Sequence, residues 1–227
     1  MAYRKQPLIK DQIYHVFNRG IAKEPIFTDK KDYCRFLDVT NFYRFSSPNM
    51  RFSYYNRLEY NSKKKFLEEL EAKKEQQVNI YTYCLMPNHF HFILKEITEN
   101  GIKKFAANLQ NSYAKYLNTK IKRTGSLFQE MFKAVRIESD EQLLHTVRYI
   151  HINPITSFLI KDFDQLILYP WSSFRDYITG IHSTSFLNTS FINSFYKSKE
   201  QILSFTKDQA DYQNKLNEIM HLTLDFV

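Results

Sequence analysis

Hydrophobic and polar positions along the chain alternate between two periods, and the order of those periods predicts the architecture. Ile13 to Phe17 is rich in β-formers and ends at Asn18-Arg19-Gly20, a turn signal, which predicts a first strand. A helix is expected next: Asp29 can cap it, and Tyr33, Phe36, Leu37, Thr40 and Asn41 recur near helical spacing, with Phe36, Leu37 and Val39 supplying apolar contacts. Val78 to Leu85 alternates, Met86-Pro87-Asn88 reads as a turn, and His89 to Lys95 returns, so this stretch predicts a hairpin. An amphipathic helix is expected from about Thr98 to Ile121, with Ile102, Phe105, Leu109, Tyr113 and Leu117 on one face, before Lys122 to Ser126 breaks it. Phe132 to Ile137 reads as a fourth strand, and Ser139 caps a helix over Glu141 to Ile152 that Pro154 is expected to stop. Strand, helix, strand, strand, helix, strand, helix is the order of an α+β fold, a ferredoxin-like antiparallel sheet with packed helices.

Two stretches fall outside this rhythm. Between Arg44 and Gln77, Ser46-Ser47-Pro48-Asn49 breaks structure and Lys63 to Gln77 is a charged, Glu/Lys-rich helix former, so residues 44–77 read as an inserted and largely solvated helical arm. Beyond Gly180 the pattern fades, although Glu200 to Leu224 favours helix. The expected organisation is one catalytic-sized domain over residues 1–180 with that insertion, followed by a partly helical extension over 181–227.

Charge adds a partner to this picture. With 32 Lys plus Arg against 24 Asp plus Glu the net charge is +8, which favours a polyanion, and nucleic acid is the commonest one because every phosphate neutralised releases counterions. Aromatic residues make up 16% of the chain, enough both to build a core and to stack unpaired bases. Cys34 and Cys84 are too few for a disulfide framework and each is expected to be buried, which fits a reducing compartment. The N-terminal stretch has no apolar run followed by a small-residue cleavage site, and no segment approaches the ~20 apolar residues that span a bilayer. A cytoplasmic protein with no membrane partner is expected.

Candidate chemistry lies in two places. His89-Phe90-His91 on a strand puts both imidazoles on one face, roughly 7 Å apart at the backbone, where they can share a metal while Phe90 enters the core. A bare His-x-His is more often a hydrogen-bonded pair on a half-exposed sheet. Tyr149 and Asn153, four residues apart, share one face of the last core helix, where a tyrosine is more often packing than chemistry. Arg19 after the first strand, and Lys122, Arg123, Lys133 and Arg136 around the last one, are candidates for gripping phosphates, or else solvated surface charge.

These weak signals occur together in a recognisable order. Tyr14-His15-Val16-Phe17-Asn18-Arg19-Gly20, Met86-Pro87-Asn88-His89-Phe90-His91, Arg123-Thr124-Gly125-Ser126-Leu127-Phe128-Gln129, Tyr149-Ile150-His151-Ile152-Asn153-Pro154 and Tyr169-Pro170-Trp171-Ser172-Ser173 follow one another over about residues 10 to 180. In that order they resemble the single-tyrosine HUH transposases, particularly the IS200-like and REP-associated tyrosine transposases. The resemblance implies a transposase that cleaves and rejoins single-stranded DNA beside a hairpin through a 5'-phosphotyrosine intermediate, with room for a homodimer. By motif position it implies Tyr149 as nucleophile, His89 and His91 as ligands of Mg2+ or Mn2+, and Asn153 as a third ligand. Imidazole softness ranks Mn2+ as a strong substitute for Mg2+. The insertion and the tail have no counterpart in the family's compact core, and His151 and Ile152 stand where other members often place an acidic residue and a leucine. Two alternatives stay open: a nickase of the replication-initiator or relaxase type, and a non-catalytic binder of single-stranded nucleic acid.

Overall fold

The computed structural model describes residues 7–46, 48–181 and 184–208. Strands β1 (Ile13–Arg19), β2 (Val78–Met86), β3 (His89–Glu96) and β4 (Lys133–Ile137) form one sheet in the order β2-β3-β1-β4, with every neighbouring pair antiparallel. The two connections that skip a strand carry helices α1 (Lys30–Tyr43) and α4 (Gly101–Lys120). This is the expected ferredoxin-like arrangement. Between α1 and β2 lie α2 (Phe52–Tyr55) and α3 (Tyr60–Ala72), and α5 (Asp140–Thr156) follows β4. The described chain continues through α6 (Phe163–Leu168), α7 (Phe174–Thr179), α8 (Ser190–Asn193) and α9 (Lys199–Lys207). No helix among the described residues is long and apolar enough to cross a membrane.

Strand alternation divides the sheet into two faces. On one, Phe36 of α1 meets Phe90 and Phe92 of β3 and Tyr113 of α4 at ring separations from 5.0 to 6.3 Å, so α1 and α4 cover that face with a continuous aromatic core. On the other face α5 packs against β2, β3 and β4. The β2–β3 turn is held rather than merely tight: the Pro87 carbonyl accepts from the Ile26 and Phe27 amides, and the Asn88 carbonyl accepts from Gly20. Gly20 is required there by space, since a Cβ would lie 2.2 Å from the Glu24 carbonyl oxygen.

Several boundaries differ from the sequence expectation for physical reasons. Pro154 lies inside α5 instead of stopping it. A proline forfeits one helix hydrogen bond, and burial of Ile152, Asn153 and Pro154 holds the last turn, which Ser157 closes by donating its amide to Asn153. The long helix begins at Gly101 rather than near Thr98, because Asn100 turns left-handed (φ 58°) and a Cβ on Gly101 would strike the Gln77 carbonyl at 2.2 Å. The insertion's long helix starts at Tyr60 and ends at Ala72, and the arm is not simply solvated. Phe52 and Tyr55 are buried against Phe42, and Phe66 stacks on Phe42 at 6.1 Å, so one side of the arm extends the core. Cys34 is exposed, contrary to expectation, since the apolar stripe of α1 runs through Phe36, Val39 and Phe42; Cys84 is buried as expected. The helix expected from Glu200 is present as α9, and its expected course beyond Asp208 lies outside the described residues.

Asp32 shows how the helical face is tied together. Asp29 and Asp32 form a reciprocal capping box at the start of α1, and the fully buried Asp32 carboxylate also accepts from Thr28, Tyr116 and Lys120, the last at 2.6 Å. Burial by itself would raise the Asp32 pKa, but the hydrogen bonds from Lys120, Thr28 and Tyr116 outweigh it and hold the carboxyl at about 2. The folded pKa lies below the ordinary value of 3.8, so this stabilisation is complete above about pH 4 and is lost as pH falls towards 2. Asp32→Asn is expected to lower unfolding stability by about 2 kcal/mol at neutral pH. Urea titrations of both proteins should show that gap closing as pH falls from 4 to 2, and a gap independent of pH would contradict the role assigned to the charge.

Candidate active site

Register brings the site together. In the β1–β3 ladder Arg19 pairs with His89 and Phe17 with His91, so the odd-numbered residues of β1 and the two histidines share the face that α5 crosses. Phe90 points the other way, into the aromatic core. The His89 and His91 rings stand edge to face at 4.9 Å. Across from them the half-buried Tyr149 ring lies 5.7 Å from His91. Asn153, one turn further along α5, places Oδ1 3.1 Å from Nε2 of His89. The four residues singled out in the sequence are thus neighbours in space.

A residue that the sequence argument passed over completes the group. His15 on β1 lies 6.1 Å from the Tyr149 ring and places Nε2 2.9 Å from Nδ1 of His91. Its signal was available: His15, Phe17 and Arg19 alternate along one strand, and all three line the same cleft. Burial pushes the His15 pKa down to about 3, and burial followed by the charges of His89, His15 and Arg19 holds His91 well below its ordinary value, so both imidazoles are neutral near pH 7.

Hydrogen bonding then fixes which nitrogens present lone pairs. Nε2 of His91 is buried and has no hydrogen-bond partner, while its Nδ1 is engaged by His15. His91 therefore suits the tautomer that donates Nδ1–H to His15 and turns a bare Nε2 into the site. His89 engages Asn88 Oδ1 at 2.6 Å through Nδ1, and the Asn88 amide is oriented because its Nδ2 donates to the Lys23 carbonyl. That arrangement leaves His89 Nε2 facing the Asn153 oxygen. Among the described residues no group of three His, Cys, Asp or Glu could hold a metal ion. The donor set here is different: two imidazoles and an amide oxygen.

The cleft in front of these groups has a volume of about 790 Å³ and is walled by β1, β4 and the first half of α5. Arg19 and Lys133 line it, together with Gln129, Gln142, His145 and Thr146. Arg136 belongs to the opposite strand face, paired with Tyr14, and donates to Gln12. Arg123 and Lys122 lie in the loop after α4, where Arg123 donates to Asn118, and neither lines the cleft. Of the five candidate phosphate contacts, two face the histidines and three do not.

The C-terminal segments hold α5 in place. His151, buried two residues beyond Tyr149, donates from Nε2 to Ser173 Oγ at 3.0 Å, and that hydroxyl both accepts from the Tyr83 amide and donates to the Tyr83 carbonyl. Arg148 sits over the Phe205 ring of α9 at 4.3 Å. Trp171 stacks on Tyr33 at 4.5 Å and accepts from Leu85 through its carbonyl. Leu127–Gln129 runs beside the end of β1, bonded to Arg19 and Ile21.

Taken together, these elements define a ferredoxin-like α+β protein whose sheet carries two imidazoles facing a helical tyrosine. Residues 47–153 match the family model described as Transposase IS200 like, a span that includes both histidines, Tyr149 and Asn153. Over that span, a little under half of its length, the chain is similar to the IS200-like transposase family. The chain is also similar to a solved structure described as that of the REP-associated tyrosine transposase bound to a REP hairpin, at 15% identity and a TM-score of 0.48, over 80% of this chain and 88% of that one. No curated protein matches.

Ser173→Ala would strand the buried His151 N–H, and is expected to cost about 1–3 kcal/mol of stability. Chemical denaturation should register that loss, and an unchanged midpoint would show that the hydroxyl is not the tie that seats α5.

Proposed function

We propose that the protein cuts and rejoins single-stranded DNA beside hairpins, with Tyr149 as the nucleophile. The observation that carries this reading is the unpartnered, buried Nε2 of His91, turned towards the same cleft as His89 and Tyr149. A pure binding protein gains nothing from a buried nitrogen without a partner, which costs about 1–3 kcal/mol to keep. A cation site recovers that cost.

The residues present fit a divalent metal. His91 Nε2, His89 Nε2 and Asn153 Oδ1 would hold Mg2+ or Mn2+, with His15 and Asn88 orienting the two rings from behind. When bound, such an ion polarises the scissile phosphate and offsets charge that grows in the transition state. Three donors from the protein leave positions for DNA oxygens and water.

Tyr149 Oη attacks the phosphorus, the P–O3' bond breaks, and the phenol's proton is lost while the leaving 3'-oxygen gains one, leaving a 5'-phosphotyrosine and a free 3'-hydroxyl. The phosphate bond is kept in the tyrosyl ester, so the reverse attack by a 3'-hydroxyl rejoins DNA without ATP. Arg19 and Lys133 bind the phosphates flanking the cut from the opposite wall. The half-buried position of Tyr149 lets its ring pack on the core while its hydroxyl addresses the cleft.

Tyr149→Phe removes one oxygen and little volume, so the fold and DNA affinity should be retained while the covalent adduct with a labelled hairpin-bearing strand in Mn2+ falls by at least about a thousandfold. Peptide mapping should place the nucleotide on the peptide holding Tyr149; an adduct on another tyrosine would refute the assignment, and tight binding with no adduct would favour the non-catalytic alternative. Separately, His91→Ala should weaken Mn2+ binding by about 10–100-fold or more in a calorimetric titration without DNA. Undiminished Mn2+ affinity in that variant would remove His91 from the ligand set.

A further inference from the structure

Attack by Tyr149 requires the phenol to lose its proton, and few groups in the cleft can receive it. A phenol with an ordinary pKa of about 10 is almost wholly protonated at neutral pH, so a neighbouring group has to take the proton as the Oη–P bond forms. That group must line the cleft and hold an uncommitted lone pair.

The imidazoles are already committed. His89 and His91 turn their Nε2 atoms to the proposed cation, and their Nδ1 atoms engage Asn88 and His15. His15 uses its own Nε2 lone pair on His91. His145 lies one turn before Tyr149 on α5, which makes it the obvious base by position. Its Nδ1 accepts from the Arg148 guanidinium at 2.6 Å, so the neutral ring carries its hydrogen on Nε2, the atom 3.8 Å from Glu141. Burial and then the Arg148 charge push the His145 pKa down, with Glu141 acting in the opposite direction. Arg19 and Lys133 are cations, and the amides of Gln129 and Gln142 are not bases.

Glu130 remains. Among the described residues that line the cleft it is the one with a carboxylate, it is exposed, and it takes part in no ion pair. Its backbone is fixed against β1: the Gln129 amide donates to the Arg19 carbonyl at 3.1 Å, and the buried Asn18 donates from Nδ2 to the Glu130 carbonyl at 2.9 Å. Arg19 pairs with His89 in the ladder, so this segment brings Glu130 alongside β1 at the level of the histidines, on the strand side of the cleft. A negative charge there opposes the phosphates that Arg19 and Lys133 attract, a disadvantage for a site that only binds DNA. The same charge is what a proton acceptor requires.

We propose that Glu130 is the general base of the cleft and takes the Tyr149 proton, directly or through one water. This role rests on the reading of Tyr149 as nucleophile. As the Oη–P bond forms, the phenol hydrogen passes to a carboxylate oxygen of Glu130; as the P–O3' bond breaks, the 3'-oxygen takes a proton from solvent. Rejoining reverses both transfers: the 3'-hydroxyl gives its proton to solvent, and the Glu130 carboxylic acid returns the other to the departing phenolate.

The test uses the full chain, a labelled hairpin-bearing single strand and Mn2+, with the initial rate of the Tyr149 adduct followed from about pH 6 to about pH 8.5. Glu130→Gln should slow adduct formation by about a hundredfold or more at neutral pH. Its rate should then climb by about tenfold per pH unit, following the phenolate population, while the wild-type rate stays nearly level. Glu130→Asp should recover part of the loss, and Glu138→Gln, which removes an exposed carboxylate outside the cleft lining, should stay within about twofold of wild type. Anisotropy should show Glu130→Gln binding the same strand as tightly as wild type or tighter, and calorimetry without DNA should show unchanged Mn2+ affinity. Parallel pH profiles in the two proteins, or DNA binding weakened in step with the rate, would overturn the role; loss of Mn2+ affinity would overturn it too, by making Glu130 a metal ligand. An adduct formed equally fast by wild type and Glu130→Gln would remove the base and leave the nucleophile in place, whereas no adduct in wild type would remove both.

Discussion

The antiparallel pairing of β1 with β3 is the constraint on which the rest of the molecule depends. These are the two central strands, and their register sets Phe17 against His91 and Arg19 against His89. Side chains alternate with period two, so a slip of one residue would send Phe90 and Phe92 to the cleft and both histidines into the aromatic core. The core prevents that slip, because Phe36 and Tyr113 are already packed on the Phe90 face. Placement of the polar site is thus enforced by apolar packing on its reverse side, and the site needs no rigidity of its own to be well placed.

Tyr149 is held by a different set of contacts. The helix that carries it has a buried polar residue on either side of the tyrosine, Arg148 towards α9 and His151 towards Ser173, and each ties α5 to chain that comes later in the sequence. Near neutral pH His151 is uncharged, with burial pushing its pKa down to about 3, so the tie to Ser173 is a neutral hydrogen bond that salt leaves untouched. Seated in this way, the proposed nucleophile Tyr149 faces the histidines at a fixed height above the sheet, while Arg19 and Lys133, the proposed phosphate contacts, approach from strands on the other wall.

Much of this was legible in the sequence because it rests on periodicity. The alternation through Val78–Leu85 and His89–Lys95 and the helical recurrence of Ile102, Phe105, Leu109 and Tyr113 are local signals, and the structure places those elements where they point. Pro154 misled because a local rule was outweighed by burial around it. His15 was missed for a related reason: its importance comes from a neighbour 76 residues away, and no local pattern distinguishes a strand histidine that orients another from one that only fills space. The insertion looked solvated because its charges are conspicuous, whereas its buried side is carried by a few aromatic residues, Phe52, Tyr55 and Phe66, spread among them. Arg123 and Arg136 share their residue type with Arg19, and only strand alternation and loop geometry separate them in space.

The covering of the β2 edge has a consequence for solubility. A protein with 20 Phe and 16 Tyr has abundant material for self-templating strands, and the outer edge of a nine-residue strand such as β2 would be the natural place for another chain to add. That edge is occupied by the chain itself: Leu85 donates to Trp171, Ser173 donates to Tyr83, and Asn188 donates to Ile80. The opposite edge, β4, is only five residues long and bears Lys133 and Arg136. Segments that carry no chemistry of their own therefore act as guards against amyloid-like stacking, and a shortened chain ending near Gly180 would lose the bond from Asn188 and open part of a long, aromatic edge to its neighbours.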